Sequence, residues 1–403
     1  MKILAIETSC DETGIALVEG EKKSGGFQFS VLESVLLSQA TLHAPYGGVY
    51  PNLAKREHEK NLPVLLEKLL EKTDPESAQK RSSAAPRLFF ATNSGFAPDA
   101  VAVTVGPGLE PALWTGITFA QKLAEEWKLP LLPVNHMEGH LISSLARLEN
   151  NKYQISNIKL PVLALLISGG HTEFVLMRDW FEYQIIGETL DDAVGEAFDK
   201  VARMLELPYP GGPEISRLAD KARVAERQLA GHERRPASEA VRVNGKQVAV
   251  TLPRPMLNSK NCHVSFSGLK TAALYTLRDV TKVRPLSHEE KAAFAAEFED
   301  AVADVFVAKA RRALEETGAK TFVIGGGVAA NRYIRERLQA LLLEEFPDVE
   351  FRLPELAITG DNAVMIAEAA LAHLLSGDWR LEKGDFQEIR AIGNLSLANI
   401  TPF

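Results

Sequence analysis

Residues 3–18, ILAIETSCDETGIALV, run strand, short polar turn, strand, and residues 162–177, VLALLISGGHTEFVLM, repeat that order. In each, apolar runs flank small and polar turn residues, the pattern of a buried β-hairpin. A second pair agrees: 101–127, VAVTVGPGLEPALWTGITFAQKLAEEW, and 321–342, TFVIGGGVAANRYIRERLQALL, both run strand, glycine-rich turn, helix. Two such series predict an α/β chain of two duplicated lobes with a cleft between them. Residues 1–158 then form the first lobe and 159–379 the second, with 380–403 expected to return to the first. Apolar periodicity predicts helices over 55–72, 116–127, 137–148, 189–206, 289–317 and 361–375. Two insertions interrupt the lobes. Residues 73–99, rich in Ser, Ala and Pro, read as an irregular loop of the first; 224–262, basic, surrounds one predicted strand at 247–252 in the second.

The chain has 403 residues, 46% hydrophobic and 24% charged, ordinary for a globular protein of more than one domain. No run of eighteen apolar residues is present, so no membrane span is expected. The first residues enter a strand at once and carry acids where a secretion signal needs a long apolar stretch. Cys10 and Cys262 are too few for a disulfide framework or a thiolate zinc site. A cytoplasmic location is expected. Net charge is −8, yet residues 200–285 hold sixteen Lys/Arg against seven Asp/Glu. That local excess reads either as a footprint for a phosphate backbone or as a solvated insertion.

His136 and His140 lie four apart in NHMEGHLISSL, a spacing that stacks two imidazoles on one helix face and suits one metal ion. Two histidines on a polar helix surface would show the same spacing. A zinc peptidase of the HExxH type needs Glu directly after the first His, where this chain has Met137; Glu138 points round the helix away from the pair. Asp361 is a candidate third ligand, but it also sits where a loop enters a helix and could cap it. Two glycine turns, SGGH at 168–171 and GGGVAAN at 325–331, could close backbone N–H groups on an anion or a nucleotide. Neither is a P-loop. Asp192, Glu196, Asp199 and Arg203 share roughly one helical face, either solvated or turned to a ligand, and YPGGP at 209–213 follows. Asp11 and Glu12 occupy the first hairpin turn.

ETSCDETG, HMEGHL, LLISGGHT, GEAFDKVARMLELPYPGGP, SFSGLKTA, GGGVAANRYIRERL and TGDNAVMIA, in this order from residue 3 to about 370, resemble the TsaD family (also called Gcp or YgjD) of tRNA N6-adenosine threonylcarbamoyltransferases, in its bacterial form. The resemblance implies an actin/sugar kinase/Hsp70-like fold with the active site between the lobes. It implies that His136, His140 and Asp361 bind one divalent metal ion, Fe2+ or Zn2+. It places Leu166, Ile167, Ser168, Gly169 and Gly170 along the nucleotide, Asp199 on the ribose, Gly212 in the turn beside it and Asn331 next to the adenine. Asp11 and Glu12 match an acidic pair facing the active site.

The implied reaction transfers threonylcarbamoyl from threonylcarbamoyl-AMP, made by a separate synthase, to N6 of adenosine 37 in ANN-decoding tRNAs. The implied partners are the tRNA anticodon stem-loop, the inactive paralogue TsaB, which would pack near 55–72, and the ATPase TsaE; no membrane is involved. Lys270 and its basic neighbours are candidates for the tRNA contact. The chain departs from the bacterial pattern in its insertions at 73–99 and 224–262. The rival functions are an ATP-dependent phosphotransferase or ATPase of the same fold, which has no need of the two histidines, and a non-catalytic partner, which would lack both them and GGGVAAN.

Overall fold

The computed structural model describes residues 1–73, 97–229, 241–243, 246–248, 250–282, 284–381 and 388–399. Most of the 73–99 insertion and the middle of 224–262 lie outside them.

The opening hairpin forms because ILAI and IALV bury nearly every side chain on both faces of a central sheet. Strands β1 (Lys2–Glu7), β2 (Glu12–Lys23) and β3 (Gly26–Ser38) make an antiparallel meander. The strands β4 (Ala100–Gly106) and β5 (Leu131–Asn135) join parallel on the other side of β1. A small hairpin, β6 (Arg147–Glu149) and β7 (Lys152–Ser156), extends the sheet beyond β3.

The second lobe repeats this plan. β8 (Val162–Ile167), β9 (Thr172–Met177) and β10 (Tyr183–Glu188) form the meander. After a separate hairpin, β11 (Val241–Val243) and β12 (Lys246–Val248), the strands β13 (Thr321–Gly325) and β14 (Glu350–Arg352) add parallel to β8. Counted within each lobe, both sheets have the strand order third, second, first, fourth, fifth. This duplicated topology is that of the actin/sugar kinase/Hsp70-like fold.

Five layers result. Helices Pro51–Thr73 and Glu110–Trp127 cover the outer face of the first sheet, and five helices around Phe198, Phe298 and Phe306 cover the outer face of the second. Between the sheets, helix Ala363–Ser376 packs on the first and on helix His136–Leu145, which in turn reaches β8 and β13 of the second. AVMIAEAALAHLL is apolar all round because it is covered on all sides, and it is buried from Ala363 to Leu374. The chain therefore comes back to β1–β3 at this helix, ahead of the residue 380 expected from sequence. The returning segment runs along the first lobe at Ile392, whose N–H donates to the Val105 carbonyl at 2.8 Å, and its last turn, Leu397–Asn399, lies against β10 of the second.

The predicted helices are present with shifted ends: 189–206 narrows to Val194–Met204, and 116–127 begins at Glu110. Helices Gly211–Leu229 and Ser267–Thr281 went unread, the first overlapping the start of the basic insertion. Of the strand predicted at 247–252, only β12 is seen; Leu252 instead donates its N–H to Glu297 at 2.8 Å and is buried. Among the described residues no helix is long and apolar enough to cross a membrane.

A candidate metal and nucleotide site between the lobes

β5 ends at Asn135, whose side chain accepts from the N–H groups of Met137 (2.8 Å) and Glu138 (3.2 Å) and so starts helix His136–Leu145 at once. His136 and His140 consequently lie on the first turns, one above the other, with ring centroids 4.7 Å apart. Asp361 arrives from the far end of the chain. Asn362, not Asp361, caps the next helix by accepting from Met365 N–H at 3.1 Å. That leaves the Asp361 carboxylate free to face the imidazoles, 3.4 Å from His136 Nε2 and 3.1 Å from His140 Nε2.

One ligand atom from each of the three residues falls within 4.8 Å of the others. Two imidazoles and a carboxylate at this spacing fit a divalent transition ion with coordination positions to spare. The sequence reading missed a fourth member. Glu7, wholly buried at the end of β1, accepts from Ser9 N–H and Thr104 Oγ and faces His136 Nδ1 at 3.2 Å. A carboxylate behind a ligating imidazole fixes its tautomer and orientation. The signal was available: Glu7 is the one acid inside the apolar run that opens the chain.

Burial works against charge on His136, but Asp361 and Glu7 outweigh it and raise its pKa to about 10; burial pushes His140 down. A proton thus stands where an ion would bind, and binding must expel it. We expect metal affinity to rise with pH, by up to tenfold per unit between pH 7 and 9, because a raised ligand pKa leaves more proton to displace at lower pH. Competition titrations at several pH values check this; a flat profile contradicts it. His171 of the SGGH turn lies near this cluster, where burial and the positive His136 depress it to about 4.

The two glycine turns leave the C-terminal ends of adjacent parallel strands, β8 and β13, paired through Leu166 and Gly325. This is where open α/β sheets take ligands. Gly326, at φ 88°, is demanded by the fold: a Cβ there would lie 2.5 Å from the Ile167 carbonyl. Gly169, Gly170 and Gly327 are different, for a Cβ on any of them would meet nothing within 4 Å. Among the described residues no packing calls for glycine at these three positions, and a ligand lying on the backbone would. Leu166 and Ile167 are wholly buried, so the turn offers a ligand its later residues rather than these two side chains.

Asp199 accepts from Gly211 N–H at 2.7 Å, which brings the YPGGP turn, including Gly212, to it; burial raises its pKa, with the Gly211 and Gly212 N–H groups opposing. Asn331 caps helix Arg332–Glu345 through Ile334 N–H and donates to Ser216 Oγ (2.8 Å) and Glu299 (2.6 Å). Glu12, hydrogen-bonded to Ser38 Oγ at 3.1 Å, is raised to about 9 by burial and the nearby Asp11 and Asp361. Asp11 and Asp199 both raise the phenol of Tyr209, after burial, so Tyr209 belongs to the same cleft, although the sequence reading passed over it.

Other expectations fail. Lys270 is not free for RNA, since it pairs with Asp192 at 2.5 Å. Asp192 itself precedes the helix, and Glu196 pairs with Lys200. Among the described residues of 200–285, several cations pair with acids from outside the segment: Arg223 with Glu299 and Asp300, Arg254 with Glu297 and Asp304, and Arg284 with Glu290.

A model of the TsaD family, tRNA N6-adenosine threonylcarbamoyltransferase, matches residues 30–80 and 88–368. The chain belongs to the TsaD family. Among solved structures it is similar to full-length HypF in its phosphate- and nucleotide-bound form, at 14% identity and TM-score 0.44, covering 93% of this chain. It spans 46% of the HypF chain, less than half. It is also similar to the ROK hexokinase of Thermus thermophilus (14% identity, TM-score 0.43, 94% of this chain and 100% of that one). YeaZ from Pseudomonas aeruginosa matches at 16% identity and TM-score 0.24, over 44% of this chain and 59% of its own. That family is described as one of transferases that act on tRNA.

Proposed function

We propose that this chain transfers the threonylcarbamoyl group from threonylcarbamoyl-AMP to N6 of adenosine 37 in ANN-decoding tRNAs, releasing AMP. The observation that carries the reading is the convergence of His136, His140 and Asp361 beside a cleft whose glycines face open space. An ion held by the three, iron or zinc, would supply Lewis acidity toward a substrate oxygen. Glu7 holds His136 in register for it. Gly169, Gly170 and Gly327 let the adenylate lie on the backbone, Asp199 accepts from its ribose and Asn331 borders its adenine, so the carbamoyl carbon is presented in a fixed orientation. In the reaction a C–N bond forms at that carbon, its bond to the phosphate oxygen breaks and the amine loses a proton. The acidic pair Asp11 and Glu12, joined by a side-chain hydrogen bond, is proposed to relay that proton.

The anticodon stem-loop, an inactive paralogue docked near 55–72, an ATPase and a cytoplasmic setting belong to the same reading. The phosphotransferase alternative leaves the histidine pair without work. The decisive experiment supplies threonylcarbamoyl-AMP and tRNA, with and without the paralogue, and assays N6-modified adenosine by mass spectrometry. Modified adenosine with one AMP released per transfer is expected. Release of phosphate from ATP without modification would replace this reading with the phosphotransferase.

The glycine argument has its own check. Gly170→Val should leave the melting temperature almost unchanged, since its Cβ would meet no described atom within 4 Å. AMP affinity should fall at least about tenfold, equivalent to roughly 1.4 kcal/mol. Unchanged AMP affinity by calorimetry would remove the adenylate from that turn.

A further inference from the structure

Two exposed tyrosines flank Gly47, which lies against Arg203 of the second lobe. Tyr46 and Tyr50 are 60% and 50% exposed, and their rings stack on each other, centroids 5.5 Å apart and 23° from parallel. Exposed aromatic rings usually sit singly and at random; here two are held together by a buried scaffold.

That scaffold is a continuous run of hydrogen bonds from the acidic turn. Gln39 donates its N–H to the Asp11 carbonyl at 2.9 Å, and its side-chain oxygen meets His43 Nε2 at 3.2 Å. His43 Nδ1 accepts the N–H of Tyr50 at 3.2 Å. His58 ties the same turn from below, meeting Thr13 Oγ at 2.8 Å and the Cys10 carbonyl at 3.0 Å. Gln39, His43 and His58 are wholly buried. The tyrosine pair is thereby fixed relative to Asp11 and Glu12.

The loop also reaches across to the second lobe. Gly47, at φ 69°, lies so close to Arg203 that a Cβ would stand 2.9 Å from its Nη1. Arg203 is exposed and one turn beyond Asp199. Among the described cations of 200–285, Arg203, Lys221 and Lys260 form no ion pair, and Arg203 alone of these touches the cleft loop. An unpaired guanidinium beside an aromatic stack matches what a single-stranded nucleotide presents, a phosphate next to a base.

We propose that Tyr46, Tyr50 and Arg203 form a single-stranded RNA subsite. An unpaired loop base adjoining the target adenosine stacks on the tyrosine pair, and a backbone phosphate lies on Arg203. The subsite rests on the proposed RNA acceptor, and it adds the residues that would seat the loop. A protein partner would also cover aromatic rings, but it would not need the free guanidinium.

The test uses the full chain loaded with metal and a fluorescent RNA hairpin with a seven-nucleotide loop, its affinity read by anisotropy at two salt concentrations. The Y46A/Y50A double variant should bind about 10- to 100-fold more weakly, and Y46F/Y50F close to wild type. Arg203→Ala should weaken binding about 5- to 10-fold and lower the salt slope by about one. Metal content and stabilisation by AMP should not change in any of these variants. Binding by Y46A/Y50A within twofold of wild type overturns the proposal, as does equal competition from a loop-free duplex. So does loss of a co-assembling protein with RNA affinity intact. If wild-type chain binds no RNA at all, the acceptor reading itself falls, a result distinct from variants that match a wild type that binds.

Discussion

Replacing His136 with alanine is expected to strip the bound ion and to lower threonylcarbamoyl transfer by more than about 100-fold, with the fold retained. Removing even an outer partner of a metal ligand typically costs 10- to 100-fold in affinity or activity, and His136 is proposed as a ligand itself. The fold should survive because Glu7, which loses its imidazole partner, keeps the Ser9 N–H and the Thr104 hydroxyl. Helix His136–Leu145 likewise keeps its Asn135 cap. Metal analysis, circular dichroism and the modification assay on one preparation would check all three parts. Transfer at the wild-type rate after exhaustive chelation would refute the role given to the cluster.

The second large effect is on stability and involves the back of the same helix. Glu138, two residues from His136, is wholly buried and accepts from Tyr183 Oη at 2.7 Å and from His373 Nε2 at 2.9 Å. His373 also meets Asp378 at 2.6 Å and lies flat between Phe181 and Trp379. Burial opposes charge on His373, but Glu138 and Asp378 outweigh it and raise its pKa. Glu138→Ala leaves a buried imidazolium and a phenol without their acceptor, which should destabilise the chain by about 3–5 kcal/mol. Glu138→Gln, whose Oε1 can still accept both bonds that Glu138 takes on one oxygen, should cost less.

The pH dependence has a definite sign. A histidine raised on folding contributes fully below its unfolded value, near 6.5, and that contribution fades as pH climbs through the raised folded value. The gap between wild type and Glu138→Ala should therefore be widest below about pH 6.5 and shrink in alkali. Denaturant melts at pH 6 and 9 measure it; a gap that widens with pH would contradict the pairing.

Much of this architecture could be read in advance because it is written locally. Hairpins show in the apolar runs either side of TSCDE and SGGH, and the face shared by His136 and His140 follows from helix geometry alone. What could not be read depends on distant partners. Lys270 looked like a free cation until Asp192 came beside it, and Arg254 until Glu297 and Asp304 did. Asp361 could cap or ligate, and only the position of Asn362 separates the two in space. Glu7 passed as part of a strand because its partners, Thr104 and His136, come from two other segments.

The middle layer has a mechanical consequence. Helix His136–Leu145, which carries two of the three cluster residues, touches strands of both sheets, and helix Ala363–Ser376, which begins two residues after Asp361, is clamped between it and the first sheet. If one lobe swings over the other, this layer is the axle, where atoms travel least, while the tyrosine loop rides nearer the rim. Opening and shutting would then govern the comings and goings of adenylate and RNA, and leave the grip on the ion almost undisturbed.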